Sequence, residues 1–321
     1  MTSDHERMAC RACGMPIDSQ PFLVQETHLG TGETFPYVEC GECGTVQIVN
    51  IPDDRGRYYP PAERHPVHVS GRLRRFLQRQ RAAAVLGSRS SVLGRFLLRT
   101  LRPPDWARWL GRTGATPATR ILDVGSSDGT LLVSLEAAGF RHLTGIDPFI
   151  TRDLTYPGGV RVFRRSVDDH EGEYDLIMLH HSLHHMPDPV AGLRRVKQLL
   201  HPAGTVLVRV PTAGNYGWRT YGQHWSSLAA PRHVVVPTVE GIRRMAAAAG
   251  FRIESTVFDG QGYIYALSEQ IRAGILLAGY SQAKRAASMF SKRELAAFRA
   301  LAAERNAAGD GDAAAFYLKL A

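Results

Sequence analysis

Lysine is scarce in this sequence, and long apolar runs are missing. Only 4 of its 321 residues are lysine, against 35 arginines. No stretch reaches about 18 uninterrupted apolar residues, so no membrane-spanning helix is predicted. The first residues, MTSDHERMACRACG, are polar and lack the apolar core of a signal peptide. From these absences we expect a cytoplasmic protein.

Cysteine is also scarce, and the four that occur form two C-x-x-C-G units, CRACG and CGECG. In a reducing compartment, such pairs indicate metal binding rather than disulfides. Each C-x-x-C turn lets two thiolates hold one ion, and two turns complete a tetrahedral Zn²⁺ site with no open position for substrate. We therefore predict a structural zinc ribbon over residues 1–52, with a disulfide pair or a redox motif as the alternative. The predicted ligands are Cys10, Cys13, Cys40 and Cys43.

The positive charge is concentrated between Arg55 and Arg120. This segment holds fifteen arginines against two acidic residues, a net charge of +13, whereas the whole chain carries +9. Such a basic block indicates an acidic partner, which can be phosphate, nucleic acid or an anionic membrane surface. The alternative is that the arginines only cover solvated helix faces.

Residues 53–104 are interpreted as a basic linker followed by helices. The stretch NIPDDRGRYYPPAERHP is rich in proline and charge, as linkers are. Beyond it, Leu73, Phe76 and Leu77 share one helical face, and a similar pattern runs from Leu93 to Leu101. Such helices would pack on the next domain, cover an active site as a lid, or lie on a membrane surface.

The segment ATRILDVGSSDGTLLVSLEAAGF predicts the first turn of a doubly wound α/β sheet. A β-rich run at residues 121–124 meets the glycine-bearing loop 125–129, and a helical pattern follows. The next predicted strand, HLTGIDPF, contains Asp147, 22 residues after Gly125, where such folds place a carboxylate for ribose hydroxyls. The loop has neither the third glycine of G-x-G-x-x-G nor the lysine of a P-loop. A cofactor without phosphates is therefore favoured.

These motifs resemble the class I S-adenosylmethionine-dependent methyltransferases, whose first motif is D-x-G-x-x-x-G. VRVFRRSVDD, EYDLIMLHHSLHHMPDP and AGLRRVKQLLHPAGTVLVRVP follow in the order of that family's third, fourth and fifth strands, and GDGDAAAFYLKLA resembles its closing antiparallel strand. The resemblance implies a doubly wound, seven-stranded Rossmann-like α/β sheet over residues 105–321 that binds S-adenosylmethionine. The cofactor residues that it implies are Asp123, Gly125, Ser126, Ser127, Gly129, Asp147, Pro148, Val167, Asp168 and His180.

The resemblance also implies an acceptor class. A four-cysteine unit, a YYP linker and a helical block precede this fold in bacterial methyltransferases that act on sugars, glycolipids and natural products. VGSSDGTLL is similar to the GSNDGTLL of sugar C-methyltransferases, whereas PRHVVVPTVEGIRRM is closer to O-methyltransferases. Because the chain lacks room for the extra C-terminal domain of the C-methyltransferases, O-methylation of a small molecule is favoured. C- and N-methylation stay open, and an anionic or sugar-bearing acceptor is compatible with the basic block.

LHHSLHHMPDP places four histidines after the fourth predicted strand, where the family brings its acceptor to the methyl group. Aligned with the family's hvlEHv.DP pattern, His184 takes the glutamate position and His185 the histidine position. This departure puts a carboxylate-assisted mechanism in doubt. A histidine with a pKa near neutrality suits removal of the acceptor's proton. His185 is the first candidate for that base and His181 the second, with His184 and His233 also considered; the alternative is that these histidines only pack.

Other roles were weighed for the same region. His181 and His185 have the i,i+4 spacing of metal ligands, but no carboxylate motif accompanies them and the fold needs no metal. Tyr221, His224 and Trp225 fall in a loop expected to reach the same cleft, where the rings would stack on an acceptor or belong to the core.

Two further functions stay open from the sequence. A zinc ribbon followed by basic helices suits an RNA methyltransferase, although the chain has no N/D-P-P-Y-type base pocket. A zinc-ribbon interaction protein with a vestigial cofactor fold is the non-enzymatic alternative, against which the intact loop and Asp147 argue. The sequence does not predict an oligomeric state.

Overall fold

Two β-sheets form the framework of the protein, whose computed structural model describes residues 8–59, 71–86, 96, 106–277 and 289–321. The strands, in chain order, are β1 (Phe22–Gln25), β2 (Thr34–Glu39), β3 (Val46–Ile48), β4 (Arg120–Val124), β5 (His142–Ile146), β6 (Leu154–Thr155), β7 (Arg161–Phe163), β8 (Tyr174–His180), β9 (Leu200–Pro211), β10 (Val235–Val236), β11 (Phe251–Phe258) and β12 (Ala313–Leu320).

Helices cover both faces of the larger sheet and connect its strands. They are α1 (Arg72–Val85), α2 (Ala107–Leu110), α3 (Thr130–Ala138), α4 (Pro189–Leu199), α5 (Tyr216–Tyr221), α6 (Val239–Ala248), α7 (Gly262–Arg272) and α8 (Lys292–Ala307). Short 3₁₀ turns lie at Arg55–Tyr58, Leu183–His185, Gly222–His224 and Ser226–Leu228. Among the described helices, none is long and apolar enough to cross a membrane.

The larger sheet has the doubly wound order β11-β12-β9-β8-β4-β5-β7-β6. Strands β4, β5, β7, β8 and β9 run parallel, whereas β12 is antiparallel to both β9 and β11. The predicted α/β fold class is confirmed, and the two-residue edge strand β6 is an addition that the sequence did not predict. Because the chain winds outward from β4 in both directions, a crevice forms at the carboxyl ends of β4, β5 and β8.

The order of these elements follows from local sequence signals. The centre of strand β8, Leu176 to Leu179, is an apolar run that is fully buried, as expected of a parallel strand covered on both faces. The turn after it ends at Asp188, whose carboxylate accepts a hydrogen bond from the Ala191 amide at 2.9 Å and caps α4. Pro189 takes the first helical position, where a missing N–H costs nothing. Asp188 and Pro189 therefore fix the point at which the histidine turn ends and helix α4 begins.

The predicted zinc module is built into the rest of the chain. Its strands β1, β2 and β3 form a second sheet, and β10 completes that sheet by pairing with β3. The Tyr37 hydroxyl donates to the His233 carbonyl at 2.8 Å, and the Thr238 hydroxyl donates to the Cys43 carbonyl at 2.5 Å. The predicted boundary at residue 52 is therefore crossed by a shared sheet, which anchors the segment that carries His233.

The predicted helical block is described only in part. Helix α1 matches its first half and packs on α3, with an ion pair between Arg75 and Glu136. Leu73 and Phe76, expected on a packed face, are exposed. Residues 60–70, 87–95 and 97–105 lie outside the described residues, and so does the second helical pattern, apart from Phe96. Helix α1 does not line the crevice at the sheet edge. The lid function therefore stays a prediction.

Candidate active site

A cavity of about 700 Å³ occupies the crevice at the carboxyl ends of β4, β5 and β8. That volume falls within the range of about 300–1,000 Å³ that is typical of small-molecule sites. Six of the ten predicted cofactor residues line it: Gly125, Ser127, Asp147, Pro148, Val167 and Asp168. The other four, Asp123, Ser126, Gly129 and His180, do not line it.

The loop between β4 and α3 needs its glycines for two physical reasons. Gly125 and Gly129 have φ values of 79° and 78°, in the left-handed region that favours glycine. A Cβ on Gly125 would also lie 2.5 Å from the Ser182 Cβ, and one on Gly129 would lie 2.6 Å from the Val162 Cγ2. Gly129 therefore shapes the loop from outside the cavity.

Asp147 presents an oriented carboxylate to the cavity. Its Oδ2 accepts the Ser127 amide at 2.9 Å, and its Oδ1 accepts the Phe149 amide at 2.8 Å. Burial raises the pKa of Asp147, while these two amides act to lower it. An ionised carboxylate has about four acceptor positions, so each oxygen keeps capacity for one more donor. The side chain can therefore accept two neighbouring hydroxyl groups.

Asp123 lies beneath the loop rather than on the cavity wall. It is 3% exposed, and its Oδ1 has no hydrogen-bond partner among the described residues. Burial, with a smaller contribution from the Asp147 charge, raises the pKa of Asp123 to about 7. The Ser126 hydroxyl is likewise buried without a partner in the described part of the chain. Any influence of these two residues on a ligand passes through the loop.

His181 lines the cavity, but its lone pair is already used. The Arg209 guanidinium, which has only N–H donors, contacts His181 Nε2 and is ion-paired with Asp259. The Nε2 atom must therefore be the acceptor. Burial and the Arg209 charge hold the pKa of His181 well below its usual value. With a φ of 57°, the residue is also in a strained conformation, as is common at functional sites.

His185 lines the cavity, and hydrogen bonds orient its ring. Its Nδ1 lies 2.8 Å from the Arg232 carbonyl, which can only accept, so Nδ1 carries the proton and Nε2 keeps a lone pair. The Tyr59 hydroxyl lies 2.9 Å from the same Nδ1 and helps to fix the ring. Burial lowers the pKa of His185 to about 4. The imidazole is therefore neutral at physiological pH, and the pKa near neutrality that the sequence led us to expect is not found, because the ring is buried.

His184 and His233 form a pair behind the cavity wall. His233 Nδ1 lies 2.7 Å from the Ser227 carbonyl and must donate, so its Nε2 accepts from His184 Nε2 at 3.2 Å. Burial holds the pKa of both rings well below the usual value. Neither residue lines the cavity. His180 does not line it either, and its ring packs against Trp109 with centroids 4.9 Å apart.

The four cysteine sulfurs have the spacing of a zinc site. The Sγ atoms of Cys10 and Cys43 are 3.7 Å apart, those of Cys13 and Cys40 are also 3.7 Å apart, and all four lie within 4.8 Å of one another. Zn–S bonds of about 2.3 Å in a tetrahedron separate sulfurs by about 3.8 Å. A disulfide would need about 2.05 Å. The donor set therefore fits one Zn²⁺ ion.

A second group of possible ligands consists of His184, His185 and His233, whose ring nitrogens lie within 4.8 Å of one another. It differs from the i,i+4 pair considered from the sequence. The positive charge of Arg232 lowers the pKa of all three rings, after the larger effect of burial. The same charge would repel a metal ion. We therefore treat these histidines as a hydrogen-bonded cluster.

Several lining residues were not predicted from the sequence. Tyr59 stacks on Phe149 with ring centroids 4.1 Å apart, and Arg55 and Arg232 line the same cavity. Tyr59 and Arg232 belong to the YYP and PRH motifs, which contribute to the family resemblance but do not by themselves predict a place in the site. Of the rings expected to stack on an acceptor, Tyr221 and Trp225 are core residues, 6% and 1% exposed, and His224 does not line the cavity.

Comparison with known proteins gives this site its family. A family model described as a methyltransferase domain matches residues 70–256, more than half of the chain. The chain belongs to the methyltransferase domain family. A ubiquinone biosynthesis O-methyltransferase from Aeromonas salmonicida (strain A449) is 30% identical over 190 residues, which cover 53% of this methyltransferase-family chain and 76% of the relative.

The matches to other relatives and to solved structures are more limited. The relative of the same name from Aromatoleum aromaticum is 32% identical over 109 residues, so the chain spans about half (46%) of its length. The cyclopropane synthase CmaA1, solved with SAH and CTAB, covers 83% of this chain at 15% identity and a TM-score of 0.43; 94% of that structure is matched. The mitomycin 7-O-methyltransferase MmcR has a TM-score of 0.40 at 13% identity, with 64% of this chain and 49% of that one covered. These structural likenesses are too loose to refine the assignment.

Proposed function

We propose that this protein is an S-adenosylmethionine-dependent methyltransferase that methylates an oxygen of a small molecule. The observation that carries the proposal is a single cavity lined by both the oriented Asp147 carboxylate and the His185 imidazole, whose Nδ1 is held by the Arg232 carbonyl. The relatives named above are O-methyltransferases, which favours oxygen as the methylated atom. A sugar, a glycolipid or another natural product is the acceptor class that the motifs support.

The cofactor end of the cavity is assigned to the glycine loop and Asp147. The two free acceptor positions of the Asp147 carboxylate suit the ribose hydroxyls. Val167 and Asp168 also line the cavity and would contact the adenine. When bound there, S-adenosylmethionine supplies an electrophilic methyl group. The loop brings no lysine to the cavity, which fits a cofactor without phosphates.

The acceptor end is assigned to the histidine turn. His185 is neutral and accessible from the cavity, so its Nε2 can accept the proton that an acceptor hydroxyl loses. His181 is unsuited to this role because Arg209 occupies its Nε2. We assign His181 to positioning, and His184 with His233 to the support of the turn from behind.

The zinc ion is assigned a structural role. Four cysteines fill its coordination shell and leave no position for a substrate. Through β3 and β10, the module anchors the chain just after Arg232 and His233. No contact of the described residues favours the RNA-methyltransferase alternative, and many arginines of the basic block lie outside the described part.

Asp147→Ala tests the cofactor assignment. Removing the acceptor of two ribose hydroxyls should lower the affinity for S-adenosylhomocysteine by about 1–3 kcal/mol, or about 5- to 150-fold. Isothermal titration calorimetry measures this directly. Asp153→Ala is the matched control, because Asp153 is exposed, also accepts a backbone amide and does not line the cavity. Equal affinity of Asp147→Ala and wild type would refute the assignment of this carboxylate.

A further inference from the structure

Charged side chains of both signs line the cavity. They are Arg55, Asp147, Arg165, Asp168, Asp188 and Arg232. The backbone carbonyl of Arg232 binds the His185 ring at 2.8 Å, and the Arg55 guanidinium donates to the His185 carbonyl at 3.1 Å. After the larger effect of burial, the charges of both Arg232 and Arg55 lower the pKa of His185, so both guanidinium groups act on the proposed base.

Arg232 is a largely enclosed charge without a counter-ion among the described residues. Its side chain is enclosed by protein on most sides and faces the cavity. Among the described residues, its guanidinium makes no hydrogen bond and no ion pair. Burial lowers the pKa of Arg232 from its usual value, yet an arginine does not deprotonate in a protein. Enclosing an unpaired charge is costly, so the group calls for a partner that the described residues do not supply.

Glu26, the acidic side chain whose charge acts on Arg232, does not serve as that partner. Glu26 acts on Arg232 only through a long-range attraction. Its two carboxylate oxygens instead accept the Leu29 amide at 2.7 Å and the Thr31 amide at 2.9 Å. Glu26 therefore holds its own loop and partly offsets the charge, while the donors of Arg232 stay available to the cavity.

Resting on the function proposed above, we propose that Arg232 and Arg55 bind an anionic group, a carboxylate or a phosphate, of the methyl acceptor. A guanidinium matches either group with two parallel hydrogen bonds, which fixes orientation as well as position. Because the Arg232 carbonyl also fixes the His185 ring, one residue sets both the acceptor's anchor and the tautomer of the proposed base. The Tyr59–Phe149 stack beside Arg55 offers an apolar wall for the body of the acceptor.

The same chemistry could come from the carboxylate of the cofactor's methionine moiety. Two nucleoside probes separate these sources. S-adenosylhomocysteine carries that carboxylate and 5′-methylthioadenosine lacks it. If Arg232 serves the acceptor, Arg232→Gln leaves the affinity for both nucleosides unchanged. A loss confined to S-adenosylhomocysteine would overturn the proposal in favour of a cofactor contact.

The decisive test titrates anionic probes into protein saturated with S-adenosylhomocysteine. Wild type should bind inorganic phosphate and benzoate measurably and the neutral analogue benzamide much less. Arg232→Gln should weaken the two anions by about 10- to 100-fold, the usual range for losing a charge-assisted hydrogen bond. Arg232→Lys should restore part of the affinity, because lysine keeps the positive charge but lacks the paired N–H donors of a guanidinium. Equal binding of the anions to wild type and Arg232→Gln would contradict the proposal.

Two controls keep the outcome interpretable. Arg252→Gln removes an exposed arginine on β11, away from the cavity, and should bind the anions as wild type does. If Arg232→Gln does not fold, Arg232→Lys and Arg55→Gln carry the test, and unchanged anion affinity in both would contradict the proposal. Failure of wild type to bind S-adenosylhomocysteine at all would instead refute the proposed function.

Discussion

Replacing His185 with alanine should lower turnover by about 10²- to 10⁴-fold, the usual contribution of a general base, and leave the affinity for S-adenosylhomocysteine unchanged. The reason is that His185 lines the cavity with its Nδ1 held by the Arg232 carbonyl, which leaves the lone pair of the neutral ring on Nε2. A steady-state assay with a methylated acceptor measures the first quantity, and calorimetry measures the second. His142→Ala is the matched control, since His142 is exposed at the start of β5, the opposite end of the sheet.

The pH profile sharpens this prediction. Burial lowers the pKa of His185 to about 4, so the ring loses its proton as pH rises through that value and is a competent base above it. We expect kcat/KM to be flat between about pH 6 and 8 and to fall toward pH 4, instead of falling below pH 6.5 as an ordinary histidine would require. Near-normal turnover of His185→Ala would mean that positioning alone carries the catalysis.

Replacing Cys43 with serine should destabilise the protein by about 4 kcal/mol or more, because the binding free energy of a structural metal is also folding free energy. The effect should extend beyond the zinc module. The Cys43 carbonyl accepts a hydrogen bond from Thr238, and β3 pairs with β10, so loss of the metal frees the chain that carries Arg232. Urea denaturation measures the stability, and elemental analysis should find one zinc per wild-type chain.

The exposed Asp18 of the same module provides the control for this experiment. Asp18→Asn changes a charge near the cysteines without removing a ligand, and its unfolding midpoint should match that of wild type. The prediction of a structural zinc ion would be contradicted if wild-type protein held no stoichiometric zinc or if Cys43→Ser had unchanged stability.

What the sequence predicted well was encoded locally. The glycine loop depends on neighbouring residues, since Gly125 and Gly129 must adopt left-handed conformations in a strand–turn–helix unit. Asp147 follows from its place at the end of the next strand, and the cysteine cluster from two short repeats. Each of these signals lies within a few residues, so a single sequence reveals it.

What the sequence left open depends on contacts between distant segments. The sequence does not distinguish His181 from His185. In the folded chain the Arg209 guanidinium, 28 residues away along the chain, donates to the Nε2 of His181. The sequence does not distinguish Arg232 from its neighbours, because its guanidinium is seen to lack a partner among the described residues only in the folded chain. Tyr59 lies 126 residues before His185, in a stretch that the sequence predicts to be a linker. The spacing of residues along the chain does not show which distant side chains come into contact in the folded protein.

A crystal structure of the protein with S-adenosylhomocysteine tests the central claim most directly. The account predicts one molecule in the cavity at the carboxyl ends of β4, β5 and β8, with its ribose hydroxyls on the Asp147 carboxylate and its sulfur facing the His185 end. It also predicts that the Arg232 guanidinium stays free of the ligand's carboxylate. A ligand bound elsewhere, or one whose sulfur points away from the histidine turn, would contradict it.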